Sequence, residues 1–280
     1  GVDSNEKVGI EKEKTGNLTE IWIYFKRSFL SPLNLAKRQS AILKVIQEEN
    51  LRFDLVHAHV LFPLAPMFAA ISKKLNTKWV FSEHWSGWHP KFRPPISALR
   101  WKFFLISARK ASMGFPVSRN LSESIEKELP KTPLYIVSNV VEPEFFRAKI
   151  AEERNRDYLK FIHVSTLVEN HKNIGGTLQA FAEMKKAGVF FRFLIISDGD
   201  LTFAKQKVDA LGLSKEVEIR GAAPPATIAE EMHSSDALVL FSNIENQPCV
   251  VLEALATGLP VIASSVGDIP NLVTNDKGLL

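Results

Sequence analysis

Cysteine is nearly absent. The 280 residues hold one, Cys249, which excludes an intramolecular disulfide framework and a multi-cysteine zinc site and fits a reducing cytoplasm. Long apolar runs are missing as well. No stretch approaches the ~18 consecutive apolar residues that a spanning helix needs. The opening GVDSNEKVGIEKEK is polar and carries no apolar signal segment. No low-complexity tract and no repeat of solenoid period occurs. No G-x-G-x-x-G follows a strand, which argues against a nicotinamide dehydrogenase, and the lack of a P-loop argues against a kinase or ATPase. Acidic residues are scarce in one half only. Residues 1–150 hold 23 Lys+Arg against 14 Asp+Glu, a net +9, so 151–280 hold 12 against 17, a net −5. The basic half suits an anionic membrane surface, a nucleic acid or a phosphorylated substrate, or is simply a lysine-rich solvated surface.

What is present is a globular composition, 45% hydrophobic and 24% charged. Short β-branched runs alternate with amphipathic segments of helix length. Strands are expected at 20–25, 54–60, 78–84, 114–118, 134–139, 159–165, 192–198, 216–221, 237–242 and 259–264. Helices are expected near 33–49, 63–75, 95–112, 119–129, 173–187, 201–211, 225–233 and 248–257. This alternation predicts an α/β fold of parallel sheets with helices on both faces. Ten strands exceed one compact doubly wound sheet, and 138–157 loses apolar periodicity, contains a proline and turns charge-rich. Two Rossmann-like domains, 1–148 and 149–280, are therefore expected across a cleft. Ligands in such sheets bind beyond the carboxyl ends of the strands.

The sharpest constellation follows strand 237–242, in SNIENQPCVVLEALATGLPVIAS. Glu245 sits in the loop, Pro248 suits a first helical turn, Glu253 lies about two turns on, and Gly258 ends the helix. Two carboxylates at the carboxyl edge of a parallel sheet can accept hydrogen bonds from sugar and ribose hydroxyls, and the adjoining helix amides can meet a phosphate. Each glutamate alone reads more readily as a surface charge, and it is the combination of spacing, proline, glycine and following strand that points to a site. A thiolate would be favoured where Cys249 stands, at the helix start, yet it reads as a small packing residue. His57 and His59 share a strand face without a third metal ligand nearby in sequence.

These residues resemble the signature of glycosyltransferase family 4: two glutamates separated by seven residues, then E-A-x-A-x-G-x-P-V-[IV]-A. FDLVHAH, VFSEHWS, VSNVVEPEFF, FIHVSTLVENHKN, FLIISDGD and VEIRGAAP match further marks in order, so the resemblance spans roughly residues 50 to 280. It implies a GT-B-like fold and a retaining, metal-independent transfer from a nucleotide sugar, a substrate and not a cofactor, to a glycan or lipid-linked acceptor, as in polysaccharide biosynthesis. Nucleic acid is not an implied partner. By resemblance, Glu245 contacts the donor sugar, Glu253 holds the ribose, and Lys172 neutralises the diphosphate. Thr166, Gly199 and Gly221 fall at donor-binding positions, and His84 reaches the sugar near the reacting carbon from the interdomain cleft. Many members carry arginine where Thr166 stands, so diphosphate charge here falls on Lys172 and on backbone amides. A sugar-nucleotide epimerase and a catalytically silent nucleotide-sugar binder remain alternatives.

Two expectations concern the first half and the ends. Segment 95–110 sets Ile96, Leu99, Phe103 and Ile106 at helical spacing among Arg100, Lys102, Arg109 and Lys110. It either rests on an anionic leaflet, placing the protein peripherally at the inner face of the membrane, or packs on the sheet as an ordinary helix. The glycine-rich loop and the closing helix of the resemblance are not found. A fold incomplete at both ends, which binds nucleotide and transfers sugar poorly, is therefore expected.

Overall fold

The computed structural model describes residues 9–24, 31–148, 156–274 and 276–280. Phe25 of the expected first strand, the stretch 26–30, and 149–155, where the expected domain boundary falls, lie outside the described residues. The chain divides into two compact units. The first holds the described residues up to Glu83 with Pro94–Phe115 and Ile125–Tyr135; the second holds His84–Arg93, Pro116–Ser124 and the described residues from Ile136 to Leu280.

The first unit opens with an antiparallel hairpin, β1 (Gly9–Thr15) and β2 (Leu18–Tyr24). Gly16, at φ +60°, heads its two-residue turn, a backbone angle that glycine adopts without steric penalty. Gly9–Thr15 is thus strand where the first strand was expected only at 20–25. After α1 (Ser31–Glu48) come β3 (Leu55–His59), α2 (Ala65–Leu75), β4 (Lys78–Glu83), α3 (Ala98–Ala108), β5 (Met113–Pro116) and α4 (Arg119–Glu128), of which Pro116 and the part of α4 up to Ser124 are counted with the second unit. The sheet order is β3-β4-β5, with β3 and β4 parallel. Trp79 and Phe81 of β4, Met67 and Ile71 of α2, and Trp101, Phe104 and Leu105 of α3 are buried in this unit. The face of α3 that packs is therefore led by Trp101 and Phe104, while Leu99, Phe103 and Ile106 point to solvent.

The strand expected at 134–139 does not form. The amide of Tyr135 donates to Gly114 and that of Val137 to Pro116, but only the Gly114–Leu134 bridge results. Pro116 has no N–H to continue the ladder, so the segment stays irregular.

The second unit contains β6 (Leu159–Val164), α5 (Glu169–Lys172), α6 (Ile174–Lys186), β7 (Phe191–Ile196), α7 (Thr202–Ala210), β8 (Val217–Arg220), α8 (Pro225–His233), β9 (Ala237–Leu240), α9 (Cys249–Ala256), β10 (Val261–Ala263), α10 (Ile269–Leu272) and β11 (Gly278–Leu279). Its six strands lie in the order β11-β10-β9-β6-β7-β8, and the pairings are parallel. Successive residues of β6 supply opposite faces. Ile162 joins Leu238, Val251 and Ala254 in one core, while Phe161 joins Phe193, Phe181 and Leu178 in the other. The Phe181 and Phe193 rings stack at 4.0 Å. Burying such a side chain contributes roughly 1.5–3 kcal/mol. The order reverses between β6 and β9, which makes the space beyond their carboxyl ends the switch point of the sheet. Among the described residues no helix is long and apolar enough to cross a membrane.

Candidate functional site

Two loops leave the switch point: the one after β6, and the one after β9. The first is set by a buried histidine that sequence reasoning passed over. His163 sits in β6 at 0% exposure, with Nδ1 2.9 Å from the carbonyl of Val239 and Nε2 2.7 Å from Ser165 Oγ. A carbonyl can only accept, so Nδ1 carries the proton and Nε2 accepts from the Ser165 hydroxyl. Burial pushes the ring pKa down to about 4, with Lys172 contributing, so it stays neutral at neutral pH. Ser165 Oγ in turn accepts from the Leu167 amide at 3.1 Å. The only sequence signal for this chain of bonds is a lone polar residue interrupting the apolar run FIHV.

Leu167 then adopts φ +54°, and the Thr166 carbonyl passes over Gly199, where a Cβ would lie 1.9 Å from that oxygen. Thr166 and Gly199 are thus brought together, and only glycine permits the approach. Helix α5 ends at Lys172. The amide of Gly175 donates to the Glu169 carboxylate at 3.1 Å, and that of Gly176 to Asn173 Oδ1 at 3.3 Å. In the first turn of α6 these amides are therefore occupied by the chain's own side chains.

The second loop carries Ser242, Asn243 and Glu245. Its Asn243 amide donates to the His171 carbonyl at 2.8 Å, which ties it to the first loop. Lys172 Nζ lies 2.5 Å from Glu245 Oε1, and Ser242 Oγ donates to the same oxygen at 2.7 Å. The pair is largely shielded from solvent, its side chains 18% and 8% exposed. Behind it, Gly267 at φ +58° lets the Glu245 carbonyl pass within 1.8 Å of where a Cβ would stand. Gln247 accepts from the Asn139 amide at 2.6 Å and donates to Asp268 at 3.1 Å. Asn246 Nδ2 donates to the His84 carbonyl at 2.7 Å.

These contacts enclose a cavity of about 190 Å³ lined by His84, Asn139, Lys172 and Glu245, among others, all within the second unit. Three of the expected residues, His84, Lys172 and Glu245, therefore share one concave site. Glu253 lies beyond it on α9. It is half-buried, burial raises its pKa above the usual carboxylate value, and no side-chain hydrogen bond or ion pair holds it among the described residues. Desolvation, then the Glu253 and Glu245 carboxylates, push the Cys249 thiol up, opposite to the expected preference for thiolate at a helix start. Pro248 precedes α9 without a side-chain cap, and the Val251 amide donates to the Pro248 carbonyl at 3.2 Å, so no side chain caps this helix start as Asn173 caps that of α6. Gly221 follows β8, two strands from the switch point, exposed and in open space; it is not part of the cavity lining. In the first unit, His57 and His59 lie ring to ring at 4.4 Å, and burial, then His59, lowers the His57 pKa. No group of three metal-ligating side chains gathers among the described residues.

Comparison with known proteins agrees with this architecture. Residues 5–145 match the model described as Glycosyltransferase Family 4, and residues 159–280 the model described as Glycosyl transferases group 1. The chain is 26% identical over 258 residues to the N-acetyl-alpha-D-glucosaminyl L-malate synthase of Bacillus anthracis, covering 86% of this chain and 64% of that protein. It spans 60%, 41% and 59% of the lengths of three other curated relatives. Among solved structures it resembles the sucrose-phosphate synthase of Thermosynechococcus elongatus, with a TM-score of 0.76 at 17% identity over 98% of this chain and 72% of that one. It also resembles Anabaena Alr3699/HepE, solved in complex with UDP and glucose, with a TM-score of 0.69 at 18% identity over 89% of this chain and 68% of that one.

Proposed function

The chain belongs to glycosyltransferase family 4, with the α/β architecture of the GT-B fold, and from that premise we propose that it binds a nucleotide sugar at the β6–β9 switch point and transfers the sugar, with retention, to a glycan or lipid-linked acceptor. The protein acts on the cytoplasmic side, peripherally against an anionic membrane surface. The observation that carries the reading is the Lys172–Glu245 pair lining a cavity with His84. One cation and one carboxylate, held side by side, match the two ends of a sugar diphosphate.

The donor diphosphate takes Lys172 and the uncapped amides of α9 as its counter-charges, and so needs no divalent cation. Because Thr166 adds no charge, Lys172 is the side-chain cation of this site. Glu245, released from Lys172 when phosphate arrives, accepts from a sugar hydroxyl. Glu253 accepts from the ribose, a role suited to a half-buried carboxylate without a partner among the described residues. The Thr166–Gly199 crossing, locked by Ser165 and His163, gives the phosphates a fixed backbone edge. His84 stands at the reacting carbon. Departure of the diphosphate leaves oxocarbenium-like charge on the sugar, and catalysis comes from binding the leaving group and orienting the acceptor.

The test is turnover of a radiolabelled donor chosen by a screen of UDP-, GDP- and ADP-sugars, with wild type and Glu245→Gln compared. Glu245→Gln should retain affinity for the free nucleotide and lose the part of donor binding that depends on the sugar. Equal loss for nucleotide and nucleotide sugar would reject the role given to Glu245.

A further inference from the structure

Helix α3 has two apolar stripes, and the fold uses only one. Trp101, Phe104, Leu105 and Ala108 are buried, Trp101 and Phe104 with ring centroids 4.9 Å apart. The opposite stripe, Leu99, Phe103 and Ile106, is 78%, 60% and 47% exposed. These three are one helical face, spaced i, i+4 and i+7. Large apolar side chains left outside singly are ordinary, but three aligned on one short helix form a patch.

The charged side chains of α3 and of the two residues after it are all basic, and the Glu128 carboxylate of the neighbouring α4 accepts from Trp101 Nε1 at 3.3 Å on the opposite, buried stripe. Arg100, Lys102, Arg109 and Lys110 flank it, all exposed. Helix α2, packed on α3 in the same unit, adds exposed Lys73 and Lys74 in its last turn. From residue 55 to residue 122 the sequence has ten Lys+Arg and a single acid, Glu83. That acid is fully buried, with its carboxylate accepting from the Leu61 amide at 3.1 Å, so it does not offset the surface charge. An acidic protein surface would meet the lysines but offer the three apolar side chains no apolar surface to bury against. A bilayer with anionic headgroups meets both, since apolar side chains enter the acyl boundary while Lys and Arg remain at the headgroups.

We infer that the outer face of α3, Leu99-Phe103-Ile106 within its ring of Arg and Lys, is a docking surface for an anionic lipid bilayer. The inference rests on the peripheral placement proposed above and assigns it to named residues. Since the three apolar side chains already lie outside the core, replacing them leaves the fold intact.

Co-sedimentation with phosphatidylcholine vesicles, with and without phosphatidylglycerol, tests it on the intact chain. Wild type should pellet with the anionic vesicles at low salt and remain in solution with phosphatidylcholine alone. Leu99→Ser/Phe103→Ser/Ile106→Ser should bind at least about tenfold more weakly. Arg100→Ala/Lys102→Ala/Lys110→Ala should lose the salt-dependent part of binding. Nucleotide affinity, measured in parallel, should be unchanged in both variants. Pelleting of the serine variant like wild type, or no pelleting of wild type, would overturn the inference. Sedimentation velocity adds a further arm: a dimer in wild type that the serine variant abolishes would make the face a contact between copies and also overturn it. Loss of nucleotide binding in wild type would instead reject the proposed function and leave the vesicle result standing.

Discussion

Replacing Glu253 by glutamine should move stability and affinity in opposite directions. This half-buried carboxylate has no hydrogen-bond or ion-pair partner among the described residues, and burial raises its pKa. A carboxyl group whose pKa is raised on folding binds its proton more tightly in the folded state. Its contribution to stability is therefore fully present below the unfolded value near 4.5 and is lost as pH rises through the raised folded value. At neutral pH the ionised side chain destabilises the fold, and glutamine, which cannot ionise, removes that penalty. Glu253→Gln should raise Tm at pH 7 relative to wild type, with the difference closing below about pH 4.5. If Glu253 also accepts from the ribose, the same change removes a charged hydrogen bond made only in the complex. A bond of this kind is worth on the order of 1.5–3 kcal/mol, or about 10- to 150-fold in affinity for the nucleotide. Thermal denaturation across pH, with calorimetric titration of the free nucleoside diphosphate, reads both. A glutamine variant less stable than wild type at pH 7 and unchanged in nucleotide affinity would make Glu253 a structural residue and refute the reasoning.

Other outcomes follow from the same geometry. Gly199→Ala places a methyl 1.9 Å from the Thr166 carbonyl, so the loop must shift; donor affinity should fall at least about tenfold in titration calorimetry, and Tm should fall as well. Phe181→Ala removes a ring stacked on Phe193 at 4.0 Å and should destabilise the second unit by about 3–5 kcal/mol in urea denaturation. His163, depressed to about 4, supports stability that is present above its unfolded value near 6.5 and lost as pH falls from there toward 4. His163→Gln should flatten that part of the stability–pH curve, which circular dichroism melts at successive pH values would reveal.

Much of the second unit was legible in the sequence because its strands are β-branched runs buried on both faces. The expected strands at 159–165, 192–198, 216–221, 237–242 and 259–264 contain β6 to β10, with β7 beginning one residue earlier, at Phe191. The spacing of Glu245 and Glu253 around Pro248 and Gly258 likewise marked the loop and helix that carry them. What sequence could not supply was pairing across distance. Lys172 and Glu245 are 73 residues apart, and they meet only because β9 lies beside β6 in the sheet. The first half misled for local reasons. LYIVSN has strand composition, yet its neighbour Pro116 cannot donate. GIEKEKT has charge on most positions and no apolar alternation, yet it pairs with β2. Helix α3 is apolar on both stripes, so periodicity alone gave no basis for choosing which one the core would take.

The most direct measurement of the central claim is a crystal structure of the chain soaked with the nucleotide sugar that gives the largest thermal shift. The account predicts the diphosphate against Lys172 and the Cys249 end of α9, the ribose at Glu253, and the Lys172–Glu245 pair opened, with Glu245 turned to a sugar hydroxyl. Nucleotide bound away from the β6–β9 switch point, or bound there with Glu253 untouched and the pair still closed, would contradict it.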